Sequence, residues 1–247
     1  MNSCYNKKTD NSLNVQSNDP NTIKDVSFEG FIAYIANLRP SEADSLSNRS
    51  DNLDRIDQAK LPLDGEYNYP KSSGFGVNVY IVDTHGTHVA GIVGGITWGV
   101  AKLVRLISIK VFDASGPGTF ADVIAGLAYI ASQHANSTNK NTVVNMSLGG
   151  DRNQAVNDAV KALTSMGIHV VVAAGNFADD ACNFSPASEP SAVCVGATED
   201  ISDAVASFSN FGSCVNIFAP GTNIKSAGIT SKNSTAVHSG TSMATPH

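Results

Sequence analysis

Residues 76–95 read GVNVYIVDTHGTHVAGIVGG. The first half is rich in β-branched and aromatic residues and ends on an acid, Asp83, which predicts a strand delivering a carboxylate to a turn. The second half is a run of small and apolar residues that reads as a short helix. A strand feeding directly into a helix is the start of a βαβ unit, and the same alternation continues down the chain. RLISIKVF (105–112) is a strand, and TFADVIAGLAYIASQ (119–133) is a helix with apolar residues at helical spacing. NTVVNMSL (141–148) is a strand, and QAVNDAVKALTSMG (154–167) is an amphipathic helix ending in Gly. IHVVVAA (168–174) is apolar without a break, as expected of a strand buried on both faces. AVCVGA (192–197) and CVNIFAP (214–220) are further short strands. This order predicts an α/β three-layer sandwich around a mostly parallel sheet. In such sheets functional loops gather beyond the carboxyl ends of the strands. Asp83 follows YIV, Ser147 follows VVNM and Asn176 follows VVVAAG, all at such ends.

Residues 1–26 are polar and lack the apolar stretch of a secretory signal, and they read as a disordered N-terminus. Residues 27–50 carry Phe28, Phe31, Ile32, Tyr34, Ile35 and Leu38 before Pro40, enough for one short helix or strand. Residues 48–75 are loop-rich, and 51–247 form the main domain. A formal charge of -6 gives no footprint for nucleic acid or an anionic membrane surface. No apolar run is long enough to span a bilayer.

Three pieces fit acyl-transfer chemistry. Ser242, in SGTSMATPH, sits among small residues at a turn-to-helix junction, and a serine hydroxyl needs a base to act as nucleophile. His85 is a candidate base, with Asp83 to hold its tautomer. Asn176, in AAGN, offers a side-chain N–H to a developing oxyanion, beside the Ser242 backbone N–H. Each residue also has a plain reading: a strand-end Asp as a turn residue, the His as structural, GTS and AAGN as turns. A different chemistry is also open. Asp83, His85 and His88 offer a carboxylate and two imidazoles, the ligand types of zinc or iron.

The longer strings decide among these. VYIVDT, HGTHVAGIVGG, WGVAKLVRLISIKV, NMSLGG, VVVAAGN, NFSPASEP, FSNFGSCVNIFAPGT and SGTSMATPH run in one order from about residue 53 to the last. They resemble the subtilisin-like serine proteases, in the fungal-type branch of proteinase K and cerevisin. The resemblance implies a subtilisin-like fold and a serine endopeptidase working through an acyl-enzyme. Carried over by motif, Asp83 is the orienting acid, His85 the general base, Ser242 the nucleophile and Asn176 the oxyanion donor, in the chain order known for subtilisin. Ser147, Leu148 and Gly149 match the strand edge that pairs with extended substrate, and Gly116 and Gly118 match the opposite edge of the cleft. Cys182 and Cys214 match positions disulfide-bonded in some relatives, and Cys194 is expected as a free buried thiol. His88 has no catalytic counterpart and is expected to pack in its helix.

The resemblance further implies polypeptide substrates with broad cleavage after apolar or aromatic residues, a monomer, no required cofactor, and a secreted or vacuolar location. Residues 27–50 are similar to the later half of an inhibitor-type propeptide, as of a zymogen inhibited in cis. Pro190, Ala192 and Asn216 match a structural calcium site in which Asn216 replaces the carboxylate, so calcium binding is expected to be weakened or absent. N-x-S/T sequons occur at Asn48, Asn136, Asn145 and Asn233, and Asn145 falls in an expected buried strand.

The chain also departs from the family's pattern. The family's acid motif reads Asp-Thr-Gly and is separated from His-Gly-Thr-His by tens of residues, whereas here Thr84 joins His85 directly. Two residues span at most about 7 Å, so an Asp–His pair demands a nearly extended junction that turns at once into a helix. The chain also stops five residues after Ser242. A catalytically impaired fragment or pseudoenzyme of the same family is therefore the alternative expectation.

Overall fold

The computed structural model describes residues 53, 56, 67, 72–83, 86–112, 118–199, 202–231 and 233–247, together with the backbone of two N-terminal strands. Those strands are β1 (Lys24–Phe28) and β2 (Phe31–Ala36), an antiparallel hairpin. Then follow β3 (Asn78–Val82), α1 (Gly86–Gly94), β4 (Arg105–Ile109), α2 (Phe120–Asn136), β5 (Thr142–Met146), β6 (Gly150–Asp151) and α3 (Gln154–Ser165). The chain continues through β7 (His169–Ala173), a 3₁₀ turn (Ala181–Asn183), β8 (Phe184–Ser185), β9 (Val193–Thr198), β10 (Ile217–Pro220), β11 (Ile224–Ala227), β12 (Thr235–His238) and α4 (Thr241–Ala244).

Eight strands form one sheet in the order β1-β2-β4-β3-β5-β7-β9-β10. From β4 to β10 all pairings are parallel, as the βαβ alternation predicts. At the other side, β2 lies antiparallel to β4 and extends the sheet edge with the hairpin. This differs from the sequence reading at two points. β1 begins at Lys24, inside the stretch read as disordered, and 27–36 is a strand pair rather than one element. Residues 1–23 lie outside the described residues.

The period of two splits each strand between the two faces. Tyr80, Val82, Val144, Met146, Val170 and Val172 point to one face, where Val123, Leu127 and Ile130 of α2 and Val160 and Leu163 of α3 cover them. Val79 and Ile81 point to the other, against Val89, Ile92 and Val93 of α1 and Met243 of α4. A core with both faces filled explains why these strands read as unbroken apolar runs.

Helix starts are set by local chemistry. Thr119 caps α2: its Oγ1 accepts the Asp122 N–H at 3.2 Å, and Asp122 Oδ2 accepts the Thr119 N–H at 3.1 Å. This reciprocal capping box makes a testable prediction. Thr119→Ala should lower stability by about 1 kcal/mol in urea unfolding, with the m-value unchanged.

Lys102, 1% exposed, pins the turn that follows α1. Its Nζ donates to Ile96 O at 3.1 Å and Gly99 O at 2.9 Å and lies 6.0 Å from the centre of the Tyr67 ring. Burial pushes its pKa down from 10.5 to about 8. Between those values the unfolded chain holds a proton that the folded chain has released, so stability should rise with pH across that window. Urea midpoints measured at about pH 7.5 and 9.5 should diverge upward in the wild type, and Lys102→Met should remove that difference.

Candidate active site

Several of the sequence-singled residues meet beyond the carboxyl ends of β3, β5 and β7. Asp83 stands directly after β3 and is 4% exposed. Thr84, His85 and Gly116 lie outside the described residues, so the Asp83–His85 junction carries no geometry here. Ser242 is the second residue of α4, one turn long. Gly240 precedes that helix with φ 155° and ψ 161°, a conformation open essentially to glycine alone.

Ser242 and Ser147 exchange hydrogen bonds. Ser242 Oγ donates to Ser147 O at 3.0 Å, and Ser147 Oγ donates to Ser242 O at 2.8 Å. Asn145, 3% exposed in β5, donates from Nδ2 to Ser147 Oγ at 2.9 Å. The candidate nucleophile is thus locked to the edge formed by Ser147, Leu148 and Gly149. That edge continues into β6, which pairs antiparallel with β8 through Gly150↔Ser185 and Asp151↔Phe184.

Asn176 is oriented by Thr241. Its Oδ1 accepts the Thr241 N–H at 2.8 Å and the Thr241 hydroxyl at 3.0 Å, while Thr241 Oγ1 accepts the Gly175 N–H at 3.1 Å. A backbone N–H can only meet the oxygen of an amide, so the side chain's two N–H donors are fixed on its other limb. A Cβ placed on Gly240 would stand 3.5 Å from Nδ2 and 3.7 Å from Oδ1, so the amide as a whole lies over the turn leading into Ser242.

Asn210, fully buried, holds the loop that carries Asn176. It donates from its N–H to Gly175 O at 2.9 Å and from Nδ2 to Ala174 O at 2.8 Å. Its Oδ1 accepts the N–H groups of Phe177 at 2.9 Å and Asp179 at 3.2 Å. Gly175, with φ 104°, lies so close to Asn210 Nδ2 that a side chain there would clash. Phe177 stacks on Phe184 with ring centres 4.9 Å apart and planes 4° off parallel. Thr241, Asn210 and Phe177 were not singled out from the sequence. The strings GTS and FSNFGS contain the first two, but only the fold reveals what they hold.

The remaining candidates fall into place around this centre. Gly118 packs against the Phe112 ring just before α2. Cys182 and Cys214 form a disulfide with Cα atoms 5.4 Å apart, tying the 3₁₀ turn after the Asn176 loop to the approach to β10. Cys194 is a free buried thiol whose pKa burial pushes up to about 12, which leaves it unreactive.

His88 faces two backbone carbonyls from Nε2, Ile224 O at 3.1 Å and Ala236 O at 3.2 Å, and its ring meets His238 edge-on. A nitrogen aimed at two carbonyls carries a hydrogen and is closed to metal. His85 lies outside the described residues, so a centre built from Asp83, His85 and His88 has no described geometry. Among the described residues no group of three or more His, Cys, Asp or Glu is placed to hold a metal ion. Asn216 Oδ1 accepts the Cys194 N–H at 2.7 Å. Among the described residues no helix is long and apolar enough to cross a membrane.

Residues 42–247 match the subtilase family. The chain belongs to that family. It is 46% identical to an extracellular serine proteinase of Thermus sp. (strain Rt41A) over 226 residues, 79% of this chain and 54% of that protein. It is also 46% identical to proteinase T of Parengyodontium album over 213 residues, 73% of this chain and 71% of that one. A crystal structure of a cold adapted subtilisin-like serine proteinase superposes with a TM-score of 0.74 at 43% identity, covering 81% of this chain and 82% of that one. The mostly parallel sheet flanked by helices is therefore the subtilisin-like fold. This subtilase spans about half the length of several curated relatives it matches. The 226-residue alignment takes in 79% of 247 residues, about 195. On the order of 30 positions within the aligned span of the Thermus proteinase thus have no counterpart here.

Proposed function

We propose that this subtilase is a serine-type endopeptidase acting on polypeptides, with Ser242 as nucleophile, His85 as general base, Asp83 as the acid that orients it and Asn176 as oxyanion donor. Ser242 Oγ attacks the scissile carbonyl while its proton passes to His85, and the acyl-enzyme that forms is released by water. The negative charge on the carbonyl oxygen falls between Asn176 Nδ2 and the Ser242 N–H at the start of α4. The observation that carries this reading is the double anchoring of Asn176 Oδ1 by Thr241, which leaves only N–H donors beside Ser242. Extended substrate pairs with Ser147–Gly149, with an apolar or aromatic side chain before the cleaved bond. The disulfide and the extracellular Thermus relative favour action outside the cell.

The second reading is a catalytically impaired member of the family. Two observations favour it: Thr84 joins His85 directly, and the Ser242 hydroxyl is committed to the Ser147 carbonyl. One experiment separates the two. The folded chain is treated with a fluorophosphonate probe and the adduct is mapped by peptide mass spectrometry. An adduct on Ser242 supports the endopeptidase. A folded, monodisperse chain with no adduct means the impaired form.

A further inference from the structure

Two Asn-Ser-Thr triplets stand on the surface, at Asn136 and Asn233. Asn136 is the last residue of α2 and is exposed, as is Thr138. The helix end is closed without its side chain. Ser137 donates its N–H to His134 O, and Lys140 Nζ donates to His134 O at 2.6 Å and Ala135 O at 3.1 Å. Asn233 is exposed in the turn between β11 and β12, with Thr235 exposed at the start of β12. That turn is held by Ser234 instead. Its Oγ accepts the N–H groups of Thr230 and Ser231, both at 3.1 Å, and donates to Ser231 O at 2.9 Å. Neither asparagine side chain is bonded to a described residue.

Each triplet therefore offers an open amide nitrogen and an open hydroxyl two residues on, the pair that N-glycosyl transfer requires. Two similar triplets do not. Asn145 is 3% exposed inside the sheet, and its Nδ2 is spent on Ser147 Oγ. Asn183 is exposed, but the hydroxyl of its triplet, on Ser185, is fully buried and bonded to both the N–H and the carbonyl of Asn153. The turn that carries Asn233 also holds Ile229, which is 87% exposed. A solubilising group beside it would cover that apolar surface.

We propose that Asn136 and Asn233 carry N-linked glycans and that the glycan on Asn233 shields Ile229. In the transfer, Asn Nδ2 attacks the anomeric carbon of a polyprenyl-diphosphate oligosaccharide. The C–N bond forms, the bond from that carbon to the diphosphate oxygen breaks, the diphosphate leaves with the electron pair, and one amide proton is lost. Both glycans stay clear of the candidate active site. Asn136 lies at the amino ends of the strands, where Asn139 Nδ2 donates to Gly76 O just ahead of β3. Asn233 is separated from Gly240 by the length of β12, about 13 Å. The proposal rests on the reading that the protein acts outside the cell, and not on catalysis by Ser242.

The test sends the full chain into the secretory pathway of a yeast behind a cleaved leader. The leader supplies the compartment, so missing glycans count against the triplets and not against the location. The secreted chain is treated with peptide N-glycosidase in heavy-oxygen water, which leaves a mass-tagged aspartate at each occupied site. The expected result is a tag at Asn136 and Asn233 and none at Asn145 or Asn183. Asn136→Gln and Asn233→Gln should each remove one glycan. Asn233→Gln should also self-associate at lower concentration in light scattering, and Ile229→Ser added to it should restore the wild-type behaviour. A soluble N-glucosyltransferase with UDP-glucose should modify the same two asparagines on the folded chain made in bacteria, which keeps the test decisive if the yeast retains the chain. An untagged Asn136 or Asn233 in the folded chain would overturn the assignment of that residue. An Asn233→Gln chain that associates no more readily than the wild type would overturn the shielding of Ile229.

Discussion

Replacing Asn176 by leucine is expected to lower kcat for peptide hydrolysis by a factor of about 100 to 1000, with KM nearly unchanged. This is the effect known for removing such a donor in subtilisin itself. The donor meets charge that exists only in the transition state, so the loss belongs in kcat. Leucine also deprives Thr241 of its acceptor, and Asn176→Asp separates the two roles. Aspartate keeps an oxygen for the Thr241 N–H and hydroxyl but has no N–H to offer the oxyanion. If orientation of Ser242 were the whole story, aspartate would rescue activity. If the oxyanion contact matters, aspartate stays at least as impaired as leucine, in steady-state kinetics and in the rate of fluorophosphonate labelling. A loss below tenfold in both variants would remove Asn176 from the proposed mechanism.

Asn210→Ala is expected to be the most damaging single change to the site's support. The wild-type side chain satisfies the N–H groups of Phe177 and Asp179 and the carbonyl of Ala174 from a fully buried position. Each buried group left without a partner costs about 1–3 kcal/mol. Phe177 and Asp179 are themselves exposed, so water recovers part of that cost, and about 3 kcal/mol is expected overall. For a domain of this size that is a Tm lowered by roughly 6–12 °C. The Gly175 turn would also lose its template, so labelling of Ser242 should slow even where the chain remains folded. A change below about 1 kcal/mol would mean the loop holds its shape without the clamp.

The βαβ order was legible because burial on both faces forces unbroken apolar strands such as VVVA and VYIV, and amphipathic helices between them. The strand-end placement of Asp83, Ser147 and Asn176 followed from the same alternation. What the sequence could not express were contacts between residues far apart in the chain. Thr241 reads as part of a turn until it is seen beside Asn176, and Asn210 reads as a loop asparagine until it is seen inside the Gly175 turn. The short pairs β6–β8 and β11–β12 escaped for a related reason: two to four residues are too few to show a period. The hairpin at residues 24–36 was read as one element because its two strands are separated only by Glu29 and Gly30.

That hairpin fixes when the sheet can close. β2 pairs with β4, so residues 33–36 must wait for residues 106–109 before the sheet's first edge exists. Until then Arg105–Ile109 presents an open row of backbone donors and acceptors on a mostly parallel sheet. Such a row is a template for another molecule's strand. A newly made chain is thus most exposed to self-association at β4, on the opposite side of the sheet from β10, and the N-terminal hairpin acts there as a resident guard against it.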